Sequence, residues 1–358
     1  MSSQISWPIL LTRLIDDLDL ETVQARWAMD QIMTGTADPA AIGGFLIALK
    51  QKGESLEEVS AFVSSILTHA VPLDISRDAL DIVGTGGDRS GTVNISSMAA
   101  LVIAGAGVPV IKHGNRAVSS RSGSSDFFEA LGVNISATPE ETASAFAQAG
   151  IGFAFAQRYH QGFRHAGPVR KALGVPTVFN FLGPLCNPAR PRINALGVAD
   201  RGRVDLVAAL LSSRGDVGLV FRGEDGLDEL TTTGPSRICQ VDEQGGITEF
   251  ALDPAQLGIR PAVLEDLVGG DAEENAEIGR ALLAGETGSV RDIVLLNAAA
   301  GLVAADLLFH PATAKTSMLE RFSAKLEVAT ESIESGAAAR VLDHWIEALP
   351  AHEAQSKN

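Results

Sequence analysis

The spacing of apolar residues predicts a helical segment at the start of the chain, up to about residue 72. Asp38 followed by Pro39 is typical of a helix start, because aspartate caps free backbone amides and proline fits the first helical position. The run Ser55–Glu58 has the sequence of a capping box, and the apolar residues after it keep a helical spacing. We therefore expect a small all-helical domain over residues 1–72.

From about residue 78 the pattern changes to short apolar runs that alternate with helical spacing. Such runs are typical of buried parallel strands, and here they lie at residues 79–83, 108–111, 151–155, 193–198 and 217–221. Strands that alternate with helices predict a mainly parallel sheet with helices on both faces. In such a sheet, ligands bind beyond the carboxyl ends of the strands. The last hundred residues are alanine-rich and predicted to be helical.

Composition limits the classes of partner and the cellular setting. The chain has 358 residues and a net charge of −16, which opposes binding to nucleic acid or to an anionic membrane surface. Two cysteines, Cys186 and Cys239, are too few for a disulfide framework and favour a reducing, cytoplasmic setting. The longest nearly apolar run, residues 98–111, is shorter than the roughly 18 residues of a membrane span. We expect no secreted or membrane-inserted segment.

Two loops that follow predicted strands carry the chemistry of a phosphate site. Gly84–Asp88 is rich in glycine, so backbone amides can approach an anion closely, and hydroxyl and amide side chains follow it. Lys112–Ser125 carries three cations and several serines but no acidic residue. An acid-free stretch at 142–199 with six Lys and Arg residues adds to this local positive charge. The sequence therefore predicts a basic site inside an acidic protein.

Two further segments offer groups for a carboxylate and for a cation. Arg170 could pair bidentately with a carboxylate, and His160 lies ten residues before it. Asp228 and Glu229 are adjacent after a glycine turn, and such carboxylates suit Mg²⁺ beside a phosphorylated substrate. No histidine set has the spacing of a metal site, and no nucleophile elbow is present in the sequence.

Several longer motifs resemble the anthranilate phosphoribosyltransferase family. Residues 81–131 contain GTGGD, NIS, KHGNR and GSSD, and residues 178–189 read VFNFLGPLCNPA. KHGNR together with FNFLGPL is specific to that family, whereas GTGG is shared with pyrimidine nucleoside phosphorylases. The resemblance implies transfer of the 5-phosphoribosyl group of phosphoribosyl pyrophosphate (PRPP) to the amine of anthranilate. The products would be N-(5-phosphoribosyl)anthranilate and pyrophosphate, in tryptophan biosynthesis.

The resemblance also implies the architecture and the assembly. It implies a small helical domain of residues 1–72 with a returning segment at about 164–188. The large α/β domain would be 73–163 and 189–358, with the nucleoside phosphorylase/phosphoribosyltransferase-like fold. The protein would be a homodimer through the small domain and would use Mg²⁺, two ions per active site.

Site residues follow from matching positions. The PRPP-binding residues would be Gly84, Thr85, Gly86, Gly87, Asp88, Thr92, Asn94, Ile95, Ser96, Ser97, Lys112, His113, Gly114, Asn115, Arg116, Ala117, Val118, Ser119, Ser120 and Ser124. Anthranilate would meet Gly84, Asn115, His160 and Arg170, and the metal ligands would be Ser96, Asp228 and Glu229. No dedicated acid or base is expected, because the arylamine is neutral at pH 7.

Two alternatives stay open at this stage. A pyrimidine nucleoside phosphorylase-like enzyme would share the fold, although KHGNR and Arg170 favour an acidic aromatic acceptor. A non-catalytic paralogue that binds nucleic acid would lack the acceptor residues and carry a broad basic surface. The presence of Asn115, Asp228 and Glu229, and the net charge of −16, oppose that second alternative.

Overall fold

The computed structural model describes residues 5–117 and 121–351, and the chain divides into two compact units. The smaller unit runs up to Pro72 and includes Ala156–Pro188, and the larger unit covers Leu73–Phe155 and the chain from Ala189 onward. Within the smaller unit, its two segments are joined by a hydrogen bond of 2.9 Å from the amide of Val71 to the carbonyl of buried Tyr159.

The secondary structure alternates as the apolar pattern predicts. The α-helices are α1 (Trp7–Ile15), α2 (Thr22–Met33), α3 (Pro39–Lys52), α4 (Leu56–His69), α5 (Ile95–Gly105), α6 (Ser124–Ala130), α7 (Pro139–Ala149), α8 (Ala156–Tyr159), α9 (Phe163–Leu173), α10 (Phe179–Leu182), α11 (Val204–Arg214), α12 (Ala272–Leu283), α13 (Ser289–Phe309), α14 (Met318–Glu334) and α15 (Ala337–Ala348). The strands are β1 (Leu80–Gly84), β2 (Val110–Gly114), β3 (Ile151–Phe155), β4 (Ile193–Gly197), β5 (Val217–Gly223), β6 (Ser236–Val241) and β7 (Ile247–Leu252).

The smaller unit is helical throughout its described part, and its helix starts are those that the sequence predicts. The side chain of Asp38 accepts from the amide of Ala40 at 2.8 Å, and Ser55 forms the capping box of α4. Its core contains aromatic rings in edge contact, with 5.9 Å between the centroids of Phe45 and Phe62. Burial of these rings is the main term that stabilises a bundle of short helices.

The larger unit is built on one sheet with the strand order β3-β2-β1-β4-β5-β6-β7. The first five strands of that order are parallel, as predicted, and β6 and β7 add an antiparallel edge. The antiparallel hairpin escaped the sequence prediction. Its turn contains Asp242 and Gly246, whose carboxylate and amide are joined at 2.8 Å. The α/β class with a mainly parallel sheet is confirmed.

The strand order reverses between β1 and β4, which marks where a ligand binds. In open parallel sheets the crevice beyond the carboxyl ends lies at this reversal. Here the last residues of the two strands, Gly84 and Gly197, are direct partners across the sheet. The glycine loop that follows Gly84 therefore leaves the sheet at the predicted position.

Helix α13 forms the centre of the larger unit. Among the described residues it is the one helix long and apolar enough to cross a membrane, and it exceeds the apolar run at 98–111. Most of it is buried inside the protein, against α5 and strands β4 and β5. A buried core helix meets the same criteria of length and composition as a membrane span, so this is weak evidence for a span.

Candidate active site

The floor of the crevice is a close contact between two glycines and the acidic segment 228–229. A Cβ added at Gly197 would lie 1.6 Å from the carbonyl oxygen of Asp228, and one at Gly84 would lie 2.1 Å from its Oδ2. The same Oδ2 accepts a hydrogen bond from the amide of Gly86 at 2.6 Å. The absence of side chains on the strand ends therefore lets Asp228 reach the glycine loop.

The glycine loop has the backbone shape of an anion site. The sign of φ alternates between Asp88 and Gly91, with +60° at Arg89 and +66° at Gly91. Alternation of this kind turns successive amides toward one side and forms a concavity for anions. The Asp88 carboxylate accepts from the hydroxyl of Ser90 at 2.5 Å, which fixes the turn.

The hydroxyl and amide residues around this loop make contacts within the protein that fix the position of the loop. Thr85 Oγ1 accepts from the amide of Ala199 at 3.1 Å, and Thr92 forms an isolated antiparallel bridge with Val268. Asn94 contacts side chains outside its own loop, which are described below. Ile95 and Ser97 are buried at the start of α5, so their side chains face the interior.

The acidic segment carries two buried carboxylates. Asp228 and Glu229 are each 8% exposed. Burial and repulsion from Asp88 raise the pKa of Asp228, and a bond from the Gly86 amide opposes that rise. Burial and repulsion from Asp228 raise the pKa of Glu229, and the positive charge of Lys112 opposes it. Two buried like charges this close favour a bound cation.

Lys112 differs from the loop cation that the sequence suggests. Strand β2 continues to Gly114, so Lys112 belongs to the strand and is 1% exposed. Its Nζ donates to the carbonyl of Ile82 at 2.5 Å and to Ser96 Oγ at 3.1 Å. Burial lowers the pKa of Lys112, while Asp81, Glu229 and Asp228 raise it. The ammonium is therefore the charge partner of the acidic segment within the larger unit.

The cations of the second loop are also paired. Arg116 Nη1 donates to Asp126 Oδ1 at 2.7 Å and to Glu129 Oε2 at 2.8 Å. Arg121 lies 3.2 Å from Glu274. Much of the predicted positive excess of this loop is thus neutralised by carboxylates of α6 and α12. The Arg116 guanidinium orders the loop, because it holds residues ten and thirteen positions ahead.

The remaining predicted residues of this loop lie close together. The amide of Ala117 donates to Asp126 Oδ2 at 3.0 Å, and Asn115 Oδ1 accepts from the amide of Arg116 at 2.8 Å. Ser124 Oγ donates to the carbonyl of Asn115 at 3.4 Å. His113 is buried in β2, and Gly114 ends that strand. Val118, Ser119 and Ser120 lie outside the described residues.

The predicted ligand set fits Mg²⁺ by its chemistry. Ser96, Asp228 and Glu229 offer only oxygen donors, and Ser96 is hydrogen-bonded to Glu229. Mg²⁺ prefers oxygen ligands and takes one or two carboxylates beside substrate phosphates. A second group, Asp205 with Glu249 and Cys239, is already occupied by a cationic side chain. Arg237 Nη2 lies 2.6 Å from Asp205 and 2.7 Å from Glu249.

The smaller unit contains its own cluster of aromatic and cationic groups. His160 stacks on Phe163 with centroids 5.1 Å apart, and Phe163 meets Phe179 edge-on at 5.8 Å. The Arg170 guanidinium lies 5.4 Å above the Phe179 ring. Burial lowers the pKa of His160 to about 4, although a hydrogen bond with the backbone of Cys186 opposes the shift. His160 is therefore neutral at pH 7.

Among the residues that the structure describes, Arg170 has no charge partner. In the two described ranges no carboxylate lies within ion-pair distance of its guanidinium. Burial lowers its pKa, which is the sign of a cation that is poorly compensated. A half-buried guanidinium on an aromatic face is suited to a flat carboxylate ligand.

Sequence reasoning missed several residues that shape the site. Phe163 and Phe179 form the aromatic surface beside His160 and Arg170. Asn297 of α13 accepts from the amide of Leu230 at 2.9 Å and donates to its carbonyl at 2.8 Å, which holds the acidic segment. One signal in the sequence could have indicated Asn297. It is a single asparagine within an apolar helical run, and a buried amide needs polar partners.

Comparison with known proteins agrees with this geometry. The model of the glycosyl transferase family a/b domain matches residues 76–339, and that of the family's helical bundle domain matches 8–70. A protein named anthranilate phosphoribosyltransferase from Leifsonia xyli subsp. xyli is 54% identical over 348 residues, covering 97% of this chain and 99% of that protein. Similarly named relatives from Arthrobacter sp. and Clavibacter michiganensis are 53% and 50% identical.

Solved structures give the same result. The anthranilate phosphoribosyltransferase of Thermus thermophilus superposes with a TM-score of 0.86 at 41% identity, covering 95% of this chain and 98% of that one. The Saccharomyces cerevisiae enzyme in complex with PRPP and Mg has a TM-score of 0.86 at 27% identity, covering 97% and 98%. The pyrimidine nucleoside phosphorylase alternative finds no support among these relatives. The chain therefore belongs to the anthranilate phosphoribosyltransferase family.

Proposed function

We propose that the protein is a Mg²⁺-dependent pentosyl transferase that moves the 5-phosphoribosyl group from PRPP to the amine of anthranilate. The products are N-(5-phosphoribosyl)anthranilate and pyrophosphate, in tryptophan biosynthesis. The observation that carries the proposal is the hydrogen bond from the amide of Gly86 to Asp228, which joins an anion loop to a cation site at the strand reversal. PRPP requires both, because it is a polyanion that binds with a divalent metal.

The glycine loop and the second loop are proposed to hold the phosphate groups of PRPP. The amides between Gly87 and Gly91 line the concavity, and residues 112–117, which lie at the end of the neighbouring strand β2, are proposed as its second side. Breaking the bond between C1 and pyrophosphate builds positive charge on the ribose and negative charge on the leaving group. Preorganised amides stabilise that negative charge without reorganisation during the reaction. Lys112 supports it indirectly by holding Ser96.

Ser96, Asp228 and Glu229 are proposed to hold Mg²⁺, two ions per active site, some of the contacts being through water. When bound, the metal neutralises charge on the pyrophosphate leaving group. The support for this assignment is the burial of both carboxylates beside Asp88, and their electrostatic interaction with buried Lys112.

Anthranilate is proposed to be bound through its carboxylate by Arg170 and through its ring by the aromatic groups beside His160. The family resemblance adds Asn115 and Gly84 to the residues proposed to meet anthranilate. Neutral His160 supplies a stacking and hydrogen-bonding group and no proton, which agrees with an arylamine that needs no strong base. The reaction then depends mainly on positioning and electrostatics.

The direct test is loss of anthranilate fluorescence. Purified protein with Mg²⁺ should consume anthranilate only when PRPP is supplied, and pyrophosphate should appear in equal amount. Inorganic phosphate with a pyrimidine nucleoside serves as the control for phosphorolysis and should give no free base. No loss of fluorescence at high enzyme concentration, or release of base in the control, would contradict the proposal.

We also propose a homodimer formed through the smaller unit. A groove of about 810 Å³ in that unit is lined mainly by α1 and α3, and its rim residue Ile15 is 74% exposed. Exposed apolar surface of this kind is unfavourable in water and is typical of an interface. Light scattering should give the mass of two chains for the wild type and of one chain for Ile15→Glu.

We also propose that the two compact units are the two domains of the protein. We propose that the enzyme works in the cytoplasm, where its two buried free cysteines stay reduced.

A further inference from the structure

We infer that Asn275, near the start of α12, is a positioning residue for the two loops that hold PRPP. It touches neither proposed substrate and acts through Asn94. The inference rests on the proposed function for its consequence on PRPP, whereas the loop contacts themselves stand on the geometry.

Asn275 is 1% exposed, and both ends of its amide are used. Its Oδ1 accepts from the amide of Gly270 at 2.8 Å, and its Nδ2 donates to Asn94 Oδ1 at 2.8 Å. The helix start beneath it is fixed by a capping box between Asp271 and Glu274. The amide is therefore held in one orientation, with its donor directed at Asn94.

Asn94 connects this helix to both loops. It follows the glycine loop and precedes α5, and its Oδ1 also accepts from Ser122 Oγ at 3.1 Å. Its Nδ2 donates to the carbonyl of Ser122 at 3.3 Å. Ser122 belongs to the second phosphate loop. The Asn94 side chain thus bonds the end of the first loop to the second loop, and Asn275 fixes which amide atom of Asn94 meets the hydroxyl and which meets the carbonyl of Ser122.

The backbone beside Asn275 reinforces the same attachment. The amide of Gly269 donates to the carbonyl of Gly91 at 2.9 Å, and the amide of Val93 donates to the carbonyl of Leu267 at 2.9 Å. A Cβ at Gly269 would lie 2.6 Å from Asn275 Oδ1 and 2.9 Å from the Cα of Val93. The segment before α12 therefore packs directly on the end of the glycine loop, and Asn275 is the buried side chain at that contact.

This arrangement matters because phosphate loops act only when their amides are already oriented. Sites of this kind need their groups held within about 0.5 Å of the productive geometry. A carboxylate at position 275 would place oxygen against Asn94 Oδ1 and turn the Asn94 amide round. The carbonyl of Ser122 would then face an oxygen of Asn94 and lose its hydrogen bond, and the Ser122 hydroxyl would have to change from donor to acceptor.

The test compares Asn275→Asp and Asn275→Ala with the wild type in steady-state kinetics. We expect KM for PRPP to rise at least tenfold in both variants and KM for anthranilate to change less than twofold. The matched control is Ser332→Ala, which removes a buried bond to the other end of α5, from Oγ to the carbonyl of Val102 at 2.7 Å. It should lower the melting temperature and leave KM for PRPP unchanged. Equal effects of Asn275→Ala and Ser332→Ala on KM would overturn the inference.

A double-mutant cycle identifies the route. If Asn275 acts through Asn94, then Asn94→Ala with Asn275→Ala should raise KM for PRPP no more than Asn94→Ala alone. Independent, multiplicative effects would show that Asn275 acts elsewhere.

Amide hydrogen exchange separates this inference from the proposed function. In the protein without substrate, Asn275→Ala should speed exchange at residues 91–94 and 121–123 at least tenfold, and Ser332→Ala should not. Unchanged exchange there would refute the positioning role, even in an active enzyme. If the wild type consumed no anthranilate but the exchange result held, the proposed function would fail and the structural link would stand.

Discussion

The carboxylate of Asp228 accepts a hydrogen bond from the amide of Gly86 at 2.6 Å, although 142 positions separate the two residues in the sequence. One oxygen of the acidic segment is therefore part of the glycine loop. The amides that we propose to receive an anion and the carboxylates that we propose to receive a cation are therefore in direct contact in the larger unit. Substitutions in either segment should consequently affect both ligands.

The paired substitution Asp228→Asn with Glu229→Gln should separate activity from stability. We expect kcat/KM to fall by about a hundredfold or more, because the proposed metal ligands lose their charge. The melting temperature without Mg²⁺ should rise, because two buried like charges are removed. The rise of melting temperature with added Mg²⁺ should disappear. Calorimetric scans with and without Mg²⁺ measure both effects.

The control for this experiment is a second acidic pair of the larger unit. Asp205→Asn with Glu249→Gln removes the same charge from a site where both carboxylates bind Arg237. Activity and the response to Mg²⁺ should stay at the wild-type level. Near-native activity of the first variant across a Mg²⁺ titration would show that Asp228 and Glu229 do not hold the metal.

Gly197→Ala should abolish most activity by displacing the acidic segment. Its Cβ would lie 1.6 Å from the Asp228 carbonyl oxygen, which is backbone and cannot rotate away. We expect loss of Mg²⁺-dependent activity together with a lower melting temperature. Gly234→Ala is the matched control, since nothing lies within 4 Å of a Cβ at that glycine. An active, stable Gly197→Ala protein would contradict the described packing.

Arg170→Gln should weaken recognition of the acceptor carboxylate. We expect KM for anthranilate to rise at least tenfold while KM for PRPP changes little. The preference for anthranilate over its amide, 2-aminobenzamide, should shrink by a similar factor, because the amide lacks the carboxylate. The exposed neighbour Lys171 provides the control variant, Lys171→Gln, which should keep wild-type values. An unchanged preference in Arg170→Gln would assign the carboxylate to another group.

Acid should destabilise the protein through His160. Burial lowers its pKa to about 4 from an ordinary 6.5, so the unfolded chain binds this proton first as pH falls. The contribution of neutral His160 to the free energy of unfolding is complete above pH 6.5. It is lost as the pH falls from 6.5 to 4, by about 3 kcal/mol in total. Urea unfolding across this range should show a smaller loss for His160→Gln than for the wild type. His310→Gln, at an exposed histidine, should keep the wild-type slope.

The sequence predicts the sheet well because its strands are continuous apolar runs, but it misplaces the end of β2. Prediction stopped that strand at Ile111, where polar residues begin. The strand continues because Lys112 and His113 find buried partners in Ile82, Ser96 and Asp81. These partners come from β1 and α5, so no local pattern could reveal them. The hairpin of β6 and β7 was not predicted for a similar reason, because β6 pairs with β5, a strand that lies outside the hairpin.

The candidate site shows the same division between local and distant information. Glycine loops, the acidic pair and the motif residues are visible as short patterns. The pairing of cations with carboxylates is not visible in the sequence, because Arg116 contacts Glu129 only when the second loop has folded onto α6. The contact between Asn94 and Asn275 spans 181 positions and has no sequence signature. The prediction of a basic site was therefore right about which cations are present and incomplete about what they contact.

The bonds between Asn297 and Leu230 have a consequence for how the enzyme moves. They attach the residue after Glu229 to α13, a helix buried in the core of the larger unit. Catalytic loops usually open at a small fraction of the free energy of global unfolding. Here the acidic segment cannot move without breaking two buried hydrogen bonds to a helix of the core. We therefore expect the backbone beside the proposed metal ligands to open more rarely than the surface loops of the larger unit, so that motion for substrate exchange would lie elsewhere.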